Sequence, residues 1–551
     1  MKKNTPSLHR LLFRIKPFAP SPLTLLSGAL IVLSFPPFGY FPLLWVSLLP
    51  WFIALHRTDS LKMAAKEGFW LGYAMSLGGF HWVAYVLSEF GGIPLSLGIL
   101  GLFLFAAVCE PQFIVAALLF KKMKKPSLST GAPFFLVLTS ALFFSLAYTG
   151  IDWLLPKLFI DTLGHAFYSA PYLRQVADLG GASLLTFLVV WFNFSLWQNF
   201  QTFPHKNRPA LQSFFACLLI LILSYIYGSH RYQEISDLQA HPISGIQAAA
   251  IQANIGDFEK LASEKGIQGA GANVIEEFTR LSREAMKLEP QPEVLIWPET
   301  AYPTSFKNPR TALESYLEHQ VNSLVQEIKI PILFGGYDTD HIQDYNSFFF
   351  LSPEGDLKTY HKNILLLFGE YIPGADLFPW IKDMFPQVGN FGRGKGPEVL
   401  TIPSLKPEPH LPQKKISVQP AICYEILFPK FILEAAQKGS QAIINITNDS
   451  WFGNWGEPQL HLALSTFRAI ETRLPILRST NTGISALILP NGEIQNQTEI
   501  GKQAILNAFI PVTHPISTLI KDWGDWFGPS SLFFVSMSAL IPGIRKKFKK
   551  N

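Results

Sequence analysis

Three short stretches of the sequence carry side chains whose types suit acyl transfer. An apolar run leads through Pro298 into the carboxylate of Glu299, Lys362 follows a second short run, and Cys423 ends a third. A positioned carboxylate can act as a general base, an ammonium group can stabilise an oxyanion, and a thiol can form a covalent acyl intermediate. Taken singly, each residue also fits a structural role, as a solvated carboxylate, a lysine with a buried stem or a packed cysteine.

The order and spacing of the three residues favour the catalytic interpretation. Lys362 follows Glu299 by 63 residues and precedes Cys423 by 61. In this order and at these spacings, the stretches resemble the Glu, Lys and Cys motifs of the nitrilase superfamily, in which each of the three residues is expected at the end of a strand. The resemblance implies a Cys423 nucleophile, with Glu299 as its base and Lys362 as the cation that stabilises the oxyanion.

The elements that position these residues indicate a layered α/β domain over residues 245–512. Short β-rich runs alternate there with amphipathic stretches. Functional groups are common at the strand ends of such domains. A helix that begins beside Cys423 would lower the pKa of its thiol and supply backbone N–H groups to an oxyanion. Strands are predicted at 246–255, 293–297, 330–337, 347–351, 416–423 and 441–445, and helices at 272–288 and 427–438.

The composition indicates that the rest of the chain meets lipid. Of its 551 residues, 48% are hydrophobic and 15% are charged, whereas soluble proteins carry about a quarter charged residues. We predict an N-terminal membrane domain of about seven transmembrane helices over 1–235 and a C-terminal transmembrane helix at 525–545. The apolar runs lie at 22–35, 39–55, 67–87, 93–120, 131–148, 180–200, 211–228 and 527–543.

The basic loops predict how the chain is oriented. The net charge of +5 lies in short clusters, not in a stripe interleaved with aromatics, which argues against a nucleic-acid partner. With eight spans all clusters face one side, which the positive-inside rule identifies as the cytoplasm, so the α/β domain faces outward. A cleaved signal peptide is disfavoured, because no small-x-small site follows the first run. The clusters are the N-terminus, 56–66, 121–125, 205–208 and a cytoplasmic tail at 546–551.

The segment 149–179 and the three cysteines say less about function than the stretches above. The segment mixes aromatics with few charges, and it fits either an interfacial stretch on the outer membrane surface or an ordinary long loop. Cys109 and Cys217 lie in apolar runs and are predicted to be packed side chains. Because Cys423 is the only cysteine of the outer domain, neither a disulfide framework nor a cysteine-based zinc site can form there.

Further stretches give a narrower resemblance over most of the chain. Together with the multispan N-terminal part and the single C-terminal span, they resemble the apolipoprotein N-acyltransferase family. The resemblance implies a multispan α-helical membrane protein with an inserted nitrilase-like αββα sandwich domain outside the cytoplasmic membrane. The stretches are 34–39, 78–82, Asn448–Gly453, Gln459–His461, Arg468–Glu471 and Arg478–Gly483.

The family resemblance also implies a reaction. A fatty acyl chain passes from a phospholipid to the α-amino group of the N-terminal S-diacylglyceryl cysteine of an apolipoprotein, through a thioester at Cys423. The expected location is the bacterial inner membrane, with the domain on the periplasmic side. Glu370, Tyr424 and Glu425 match positions that support the three catalytic residues. No metal or organic cofactor is implied, and the residues around His461 lack metal-ligand spacing.

Several alternatives remain at this stage. Trp82, Trp451 and Trp455 are candidate walls of an acyl-chain channel, or interfacial anchors. A membrane-tethered nitrilase-type amidohydrolase would use the same three residues but pass the acyl group to water. A transporter or receptor with a non-catalytic outer domain should carry charged residues along its spans, and only Glu89 and Glu110 approach this pattern.

Overall fold

A computed structural model describes most of the chain, including every candidate site residue. Part of the predicted cytoplasmic charge lies outside the described residues, namely the basic residues of 1–18, 124–125, 205–207 and 549–551. Their placement therefore stays a prediction. The described residues are 19–89, 91–123, 133–202, 208–256, 269–374, 377–378, 380, 383, 388–403 and 415–548.

Helices occupy each of the eight apolar runs. The N-terminal region is helical because its runs are mostly apolar, and prolines such as Pro42 and Pro111 lie at helix starts, where a missing N–H is tolerated. Within the run 93–120, Glu110 and Pro111 separate two helices. The helices are α1 Pro22–Ser34, α2 Leu44–Ser47, α3 Leu49–His56, α4 Leu61–Gly79, α5 Val83–Glu89, α6 Leu95–Cys109, α7 Gln112–Lys122, α8 Phe134–Leu154, α9 Ala177–Thr202 and α10 Arg208–Ala240, and near the C-terminus α15 Leu519–Trp523 and α16 Phe527–Phe548.

Among the described residues, four helical stretches are long and apolar enough to cross a membrane. They cover Leu95–Lys122, Phe134–Leu154, Leu173–Gln201 and Arg208–Ala240. Apolar side chains such as Leu104, Val108, Leu219 and Ile226 are more than half exposed on them, which suits contact with lipid. The protein is therefore a membrane protein, while the count of eight spans stays a prediction.

The segment 149–179 is buried in part and exposed in part. After α8 ends at Leu154, the chain forms two short 3-10 helices, Leu163–Ser169 and Leu173–Val176. Its aromatic side chains Phe159 and Phe167 are 2% and 0% exposed, so they pack inside the protein. These two rings are covered by protein, whereas Trp153 of the same segment is 41% exposed, so a place at the membrane surface for part of the segment stays a prediction.

The α/β domain, called the outer domain here after its expected side of the membrane, contains two six-stranded sheets. The first has the order β12-β1-β2-β3-β4-β5 and the second the order β11-β10-β9-β8-β7-β6. The β1-β2-β3 and β7-β8-β9 pairings are parallel. The strands are β1 Ser244–Gln252, β2 Val294–Ile296, β3 Ile332–Thr339, β4 Asp344–Leu351, β5 Leu357–His361, β6 Leu400–Pro403, β7 Lys415–Ile422, β8 Ala442–Thr447, β9 Ile476–Thr480, β10 Ala486–Ile488, β11 Ile494–Gln497 and β12 Ala504–Val512.

Side-chain alternation along the strands builds a four-layer sandwich. In β1, Ala249 and Ile251 belong to the core under two helices, whereas Ala248 and Ala250 belong to the core that includes the second sheet. This pattern confirms the αββα nitrilase-like fold. The helices of the outer layers are α11 Ala270–Ala285 and α12 Ala312–Ile328 on the first sheet, and α13 Pro429–Gln437 and α14 Glu457–Thr472 on the second.

The sandwich is packed directly on the membrane helices. The ring of Trp82, after α4, lies 5.2 Å from that of Phe452 in the outer domain, with the planes nearly perpendicular. At a second contact, Arg473 Nη2 donates to Asp178 Oδ2 at 2.7 Å, and both side chains are buried. The second sheet and the membrane helices therefore share one continuous apolar core.

Candidate active site

Glu299 follows the carboxyl end of β2, where the chain turns away from the sheet. The backbone of Glu299 lies so close to β3 that a Cβ on Gly335 would be 2.5 Å from Glu299 Cα. Thr300 has a φ of 51°, an unusual value for a β-branched residue. Only glycine at position 335 allows this approach, which keeps the carboxylate buried at 5% exposure.

Lys362 is the first residue after β5 and reaches the Glu299 carboxylate. Its Nζ lies 3.1 Å from Glu299 Oε1 and 2.8 Å from Glu370 Oε1, and its side chain is 2% exposed. Asn346 on β4 donates to the same two oxygens, at 2.8 Å each. The predicted Glu-Lys pair is thus brought together from two strands of one sheet.

Cys423 lies at the end of β7, where a five-residue 3-10 helix begins. The residue has a φ of 49°, and non-glycine residues adopt this region at a cost of about 1–3 kcal/mol, mostly at functional sites. Its thiol is buried and interacts electrostatically with Glu299 and Lys362. The second sheet therefore presents the cysteine to the carboxylate and ammonium of the first.

The pKa of the Cys423 thiol is shifted in the opposite direction from the one that a helix N-terminus would give. Burial raises the pKa of the Cys423 thiol, Glu299 raises it further, and Lys362 opposes them. The expected lowering by a helix N-terminus is wrong, because the helix is a single short 3-10 turn and the thiol is desolvated. Burial disfavours the charged form of Lys362, but Glu299 and Glu370 together raise its pKa. The resting group is therefore a protonated thiol beside an ion pair, and the thiol needs a base.

Glu425 ties the cysteine turn to the lysine loop. It accepts hydrogen bonds from Ile422 N–H at 2.8 Å, Asn363 N–H at 2.6 Å and the Tyr360 hydroxyl at 2.9 Å. Burial raises the pKa of Glu425 to about 7, and the backbone N–H donors oppose this shift. The carboxylate therefore holds together the residues next to the two catalytic candidates.

We expect Glu425→Gln to slow acyl transfer and to lower stability. The described contacts of this carboxylate are all donors, so the amide NH₂ of glutamine would face at least one of them. An unsatisfied buried donor costs about 1–3 kcal/mol. The measurement is the midpoint of thermal unfolding together with the rate of Cys423 acylation. Equal values for Glu425→Gln and the unmodified protein would contradict this role.

The remaining predicted residues take different positions. The Tyr424 hydroxyl donates to the Leu158 carbonyl, and its ring lies 6.0 Å from that of Phe159. Phe159 in turn packs on Trp82, at 5.1 Å between ring centroids. Trp82 is 4% exposed, so it is a packed part of the junction, in contact with the rings of Phe159 and Phe452, and its role as a wall of an acyl-chain channel stays a prediction.

The other two tryptophans lie on the loop after β8. Trp455 is 51% exposed and packs against His81, with 4.7 Å between ring centroids and 49° between the ring planes. Trp451 is partly buried against the shared apolar core. A role of these residues in binding an acyl chain stays a prediction.

Two polar contacts of Glu299 were not assigned from the sequence. Asn346 lies in the polar first half of β4, Asp344–Ser347, so its residue type does not single it out from its neighbours. The backbone N–H of Asn448 donates to Glu299 Oε2 at 3.0 Å. A backbone contact of this kind leaves no signal in residue type, although Asn448 opens one of the family-like stretches.

One cluster among the described residues has the composition of a metal site. Asp449, Glu457 and His461 are buried, and their ligand atoms lie within 4.8 Å of one another. The guanidinium of Arg478 lies 2.7 Å from Asp449 Oδ2 and 3.1 Å from His461 Nδ1. A cation among these ligands would be repelled by this buried charge, so the cluster is better described as an ion-pair network.

Comparison with known proteins agrees with both parts of the structure. A family model described as the apolipoprotein N-acyltransferase N-terminal domain matches residues 27–195, and one described as carbon-nitrogen hydrolase matches 247–512. The chain is 32% identical to an apolipoprotein N-acyltransferase of Bdellovibrio bacteriovorus over 518 residues, which is 91% of this chain and 90% of the relative. The chain belongs to the apolipoprotein N-acyltransferase family.

A second relative leads to the same family. The apolipoprotein N-acyltransferase of Geobacter metallireducens is 30% identical over 539 residues, 95% of each chain. This member of the family is thus a membrane-bound acyltransferase with a nitrilase-like domain. Membership decides against a transporter or receptor with a non-catalytic outer domain.

Proposed function

We propose that this N-acyltransferase moves a fatty acyl chain from a phospholipid to the α-amino group of an N-terminal S-diacylglyceryl cysteine of an apolipoprotein. The observation that carries the proposal is the buried contact of Lys362 with Glu299, 3.1 Å long, beside the strained turn of Cys423. A base, a cation and a nucleophile are then together at the junction with the membrane helices.

The first half-reaction forms the acyl-enzyme. Glu299 takes the proton of the Cys423 thiol as the sulfur attacks the ester carbonyl of the phospholipid. Lys362 and the backbone N–H near Tyr424 stabilise the oxyanion. The tetrahedral intermediate collapses to a thioester, and the leaving alkoxide takes the proton from Glu299 and departs as a lysophospholipid.

The second half-reaction uses the same groups in the same places. Glu299 removes a proton from the attacking α-amine, and Lys362 again stabilises the oxyanion. The C–S bond breaks, the amide forms, and the proton on Glu299 returns to the sulfur. Because donor and acceptor occupy the site in turn, it need not hold two lipids at once.

Both substrates are anchored in the bilayer, which accounts for the location of the site. Each CH₂ withdrawn from the membrane costs about 0.8 kcal/mol, so full extraction of a lipid by a soluble enzyme is prohibitive. A site beside Phe159 and Trp82, at the junction with the membrane helices, avoids that cost. We place the enzyme in the bacterial inner membrane, with the outer domain on the periplasmic side.

The choice of acceptor tests this function against the amidohydrolase alternative. Acyl-enzyme is first formed on the full-length protein, and its decay is then followed by mass spectrometry with three additions. A diacylglyceryl peptide with a free amine should discharge it rapidly, while the N-acetylated peptide and buffer alone should not. Equal discharge by water and by the free-amine peptide would replace the transferase with a hydrolase.

Labelling of introduced cysteines tests the orientation. Ile342 lies on the turn between β3 and β4 and is 89% exposed, whereas Lys62 is exposed at the start of α4. The three native cysteines are buried, which keeps the background low. In cells stripped of their outer barrier, a membrane-impermeant maleimide should label Ile342→Cys and spare Lys62→Cys until the membrane is opened. The reverse pattern would place the site in the cytoplasm.

A further inference from the structure

Several family-like stretches that the proposed mechanism leaves unused meet in one buried network behind the site. Asp449, His461 and Arg478 come from three of these stretches, and each is at most 1% exposed. Arg478 Nη2 donates to Asp449 Oδ2 at 2.7 Å, and His461 Nδ1 lies 3.4 Å from Asp449 Oδ1. Stability alone does not account for such a network, because apolar residues of similar volume are often as stable as a buried ion pair.

The network borders the backbone N–H that contacts the proposed base. Asn448 N–H donates to Glu299 Oε2 at 3.0 Å. The residues on either side of Asn448 are tied to each other, since Thr447 Oγ1 donates to Asp449 Oδ1 at 3.1 Å. The Asn448 side chain in turn accepts from Ser450 Oγ at 2.8 Å. The peptide that presents this N–H is therefore held from both ends.

The position of the Asp449 carboxylate is also fixed by the space around it. A Cβ on Gly483 would lie 2.1 Å from Asp449 Oδ2, so any larger residue would displace the carboxylate. Gly483 ends the stretch that begins with Arg478, so one segment supplies both the ion-pair partner and the room for it. The side chain of Asp449 is therefore held in one position by the ion pair with Arg478 and by the close approach of Gly483.

The same network extends to the strand that carries the nucleophile. Arg478 Nη1 donates to Asn445 Oδ1 at 2.8 Å, and Asn445 Nδ2 donates to the Ala421 carbonyl at 3.0 Å. Ala421 lies two residues before Cys423 at the end of β7. One set of buried polar contacts therefore connects the backbone beside the base with the backbone beside the thiol.

We propose that Asp449, held by Arg478 and His461, is a positioning residue that fixes the Asn448 N–H against Glu299 and so aims the base at Cys423. This inference rests on the proposed function, in which Glu299 takes the thiol proton. A shift of about 1 Å in a catalytic group can cost about 10²-fold in rate, even when the mutated residue touches no substrate. The network then acts on the rate constant of acylation and leaves donor binding unchanged.

The test is single-turnover acylation of Cys423 in the full-length protein by phospholipid in detergent–lipid micelles. Asp449→Asn should lower the rate constant at saturating donor by about 10²-fold. The phospholipid concentration that gives half of the maximal rate constant should stay within about twofold of its value in the unmodified protein. Because Asp449→Asn leaves the Arg478 charge without its carboxylate, the neutral pair Asp449→Asn/Arg478→Gln is measured beside it. A purely structural role would lower the amplitude of acylation, which counts folded molecules, and leave the rate constant unchanged.

Two further variants separate the possible outcomes. Asp178→Asn breaks a different buried arginine–aspartate pair of the described residues, to Arg473 at 2.7 Å, together with the partly buried contact of Asp178 with Arg231 at 3.0 Å. It should lower the unfolding temperature with no change in rate constant. Normal rate constants in both Asp449 variants, with Glu299→Gln inactive, would overturn the positioning role alone. Normal acylation by Glu299→Gln would overturn the base assignment and with it the mechanism proposed above.

Discussion

Incubation with phospholipid in the absence of an acceptor is expected to add one fatty acyl mass to the peptide that carries Cys423. The thiol lies at a strained turn between Glu299 and Lys362, so the sulfur can be deprotonated and the resulting oxyanion stabilised in the same place. Hydroxylamine should remove the added mass, since it cleaves thioesters and leaves amides intact. Intact-protein and peptide mass spectrometry measure both steps.

Substitution of the nucleophile gives the largest effect of all the variants considered. Cys423→Ala should acquire no adduct, because no other nucleophile is available at this turn. Cys423→Ser should be nearly inactive, since a hydroxyl group has a far higher pKa than a thiol and a carboxylate is too weak a base for it. Cys109→Ala is the matched control, because that thiol is buried among the membrane helices. An active enzyme that never carries an acyl group would refute the two-step mechanism.

Local sequence patterns predicted half of the elements described for the outer domain, namely six of its twelve strands and two of its four outer-layer helices. The strand expected at 416–423 is observed at Lys415–Ile422, and the helix expected at 427–438 at Pro429–Gln437. These elements are encoded by continuous apolar runs and by Pro429 at the first helical position. The order Glu299, Lys362, Cys423 is visible in the sequence because Glu299 and Cys423 come at the ends of apolar runs and Lys362 lies between them at a family-like spacing.

The contacts between distant segments could not be predicted in this way. Asn448 N–H meets Glu299 across 149 residues, and Glu425 accepts from Tyr360 across 65. Such pairs depend on the register of the strands and on the stacking of the two sheets, which no local pattern specifies. The raised pKa of Cys423 was missed for a related reason, because burial of the thiol results from the assembly of both sheets and the membrane helices.

Glu299→Gln is expected to abolish both half-reactions while the protein still inserts and folds. Loss of a general base typically lowers a rate by a factor on the order of 10²–10⁴. The fold should persist because Lys362 keeps its ion pair to Glu370, 2.8 Å away, and the side-chain volume is unchanged. Single-turnover acylation, and discharge of a preformed acyl-enzyme by a free-amine peptide, measure the two steps separately.

The two half-reactions distinguish a base from a residue that merely holds Lys362. If Glu299 only anchored the lysine, Glu370→Gln should be as damaging as Glu299→Gln, since both carboxylates contact Lys362 Nζ. As a base, Glu299 alone faces both the lysine and the thiol, so its loss should be at least tenfold more severe, a difference of about 1.4 kcal/mol in activation free energy. The surface substitution Glu327→Gln, on an exposed carboxylate paired with Arg283, should change neither rate. Near-normal acylation by Glu299→Gln would transfer the role of base to another group, and the protonated thiol of Cys423 would then need a different partner.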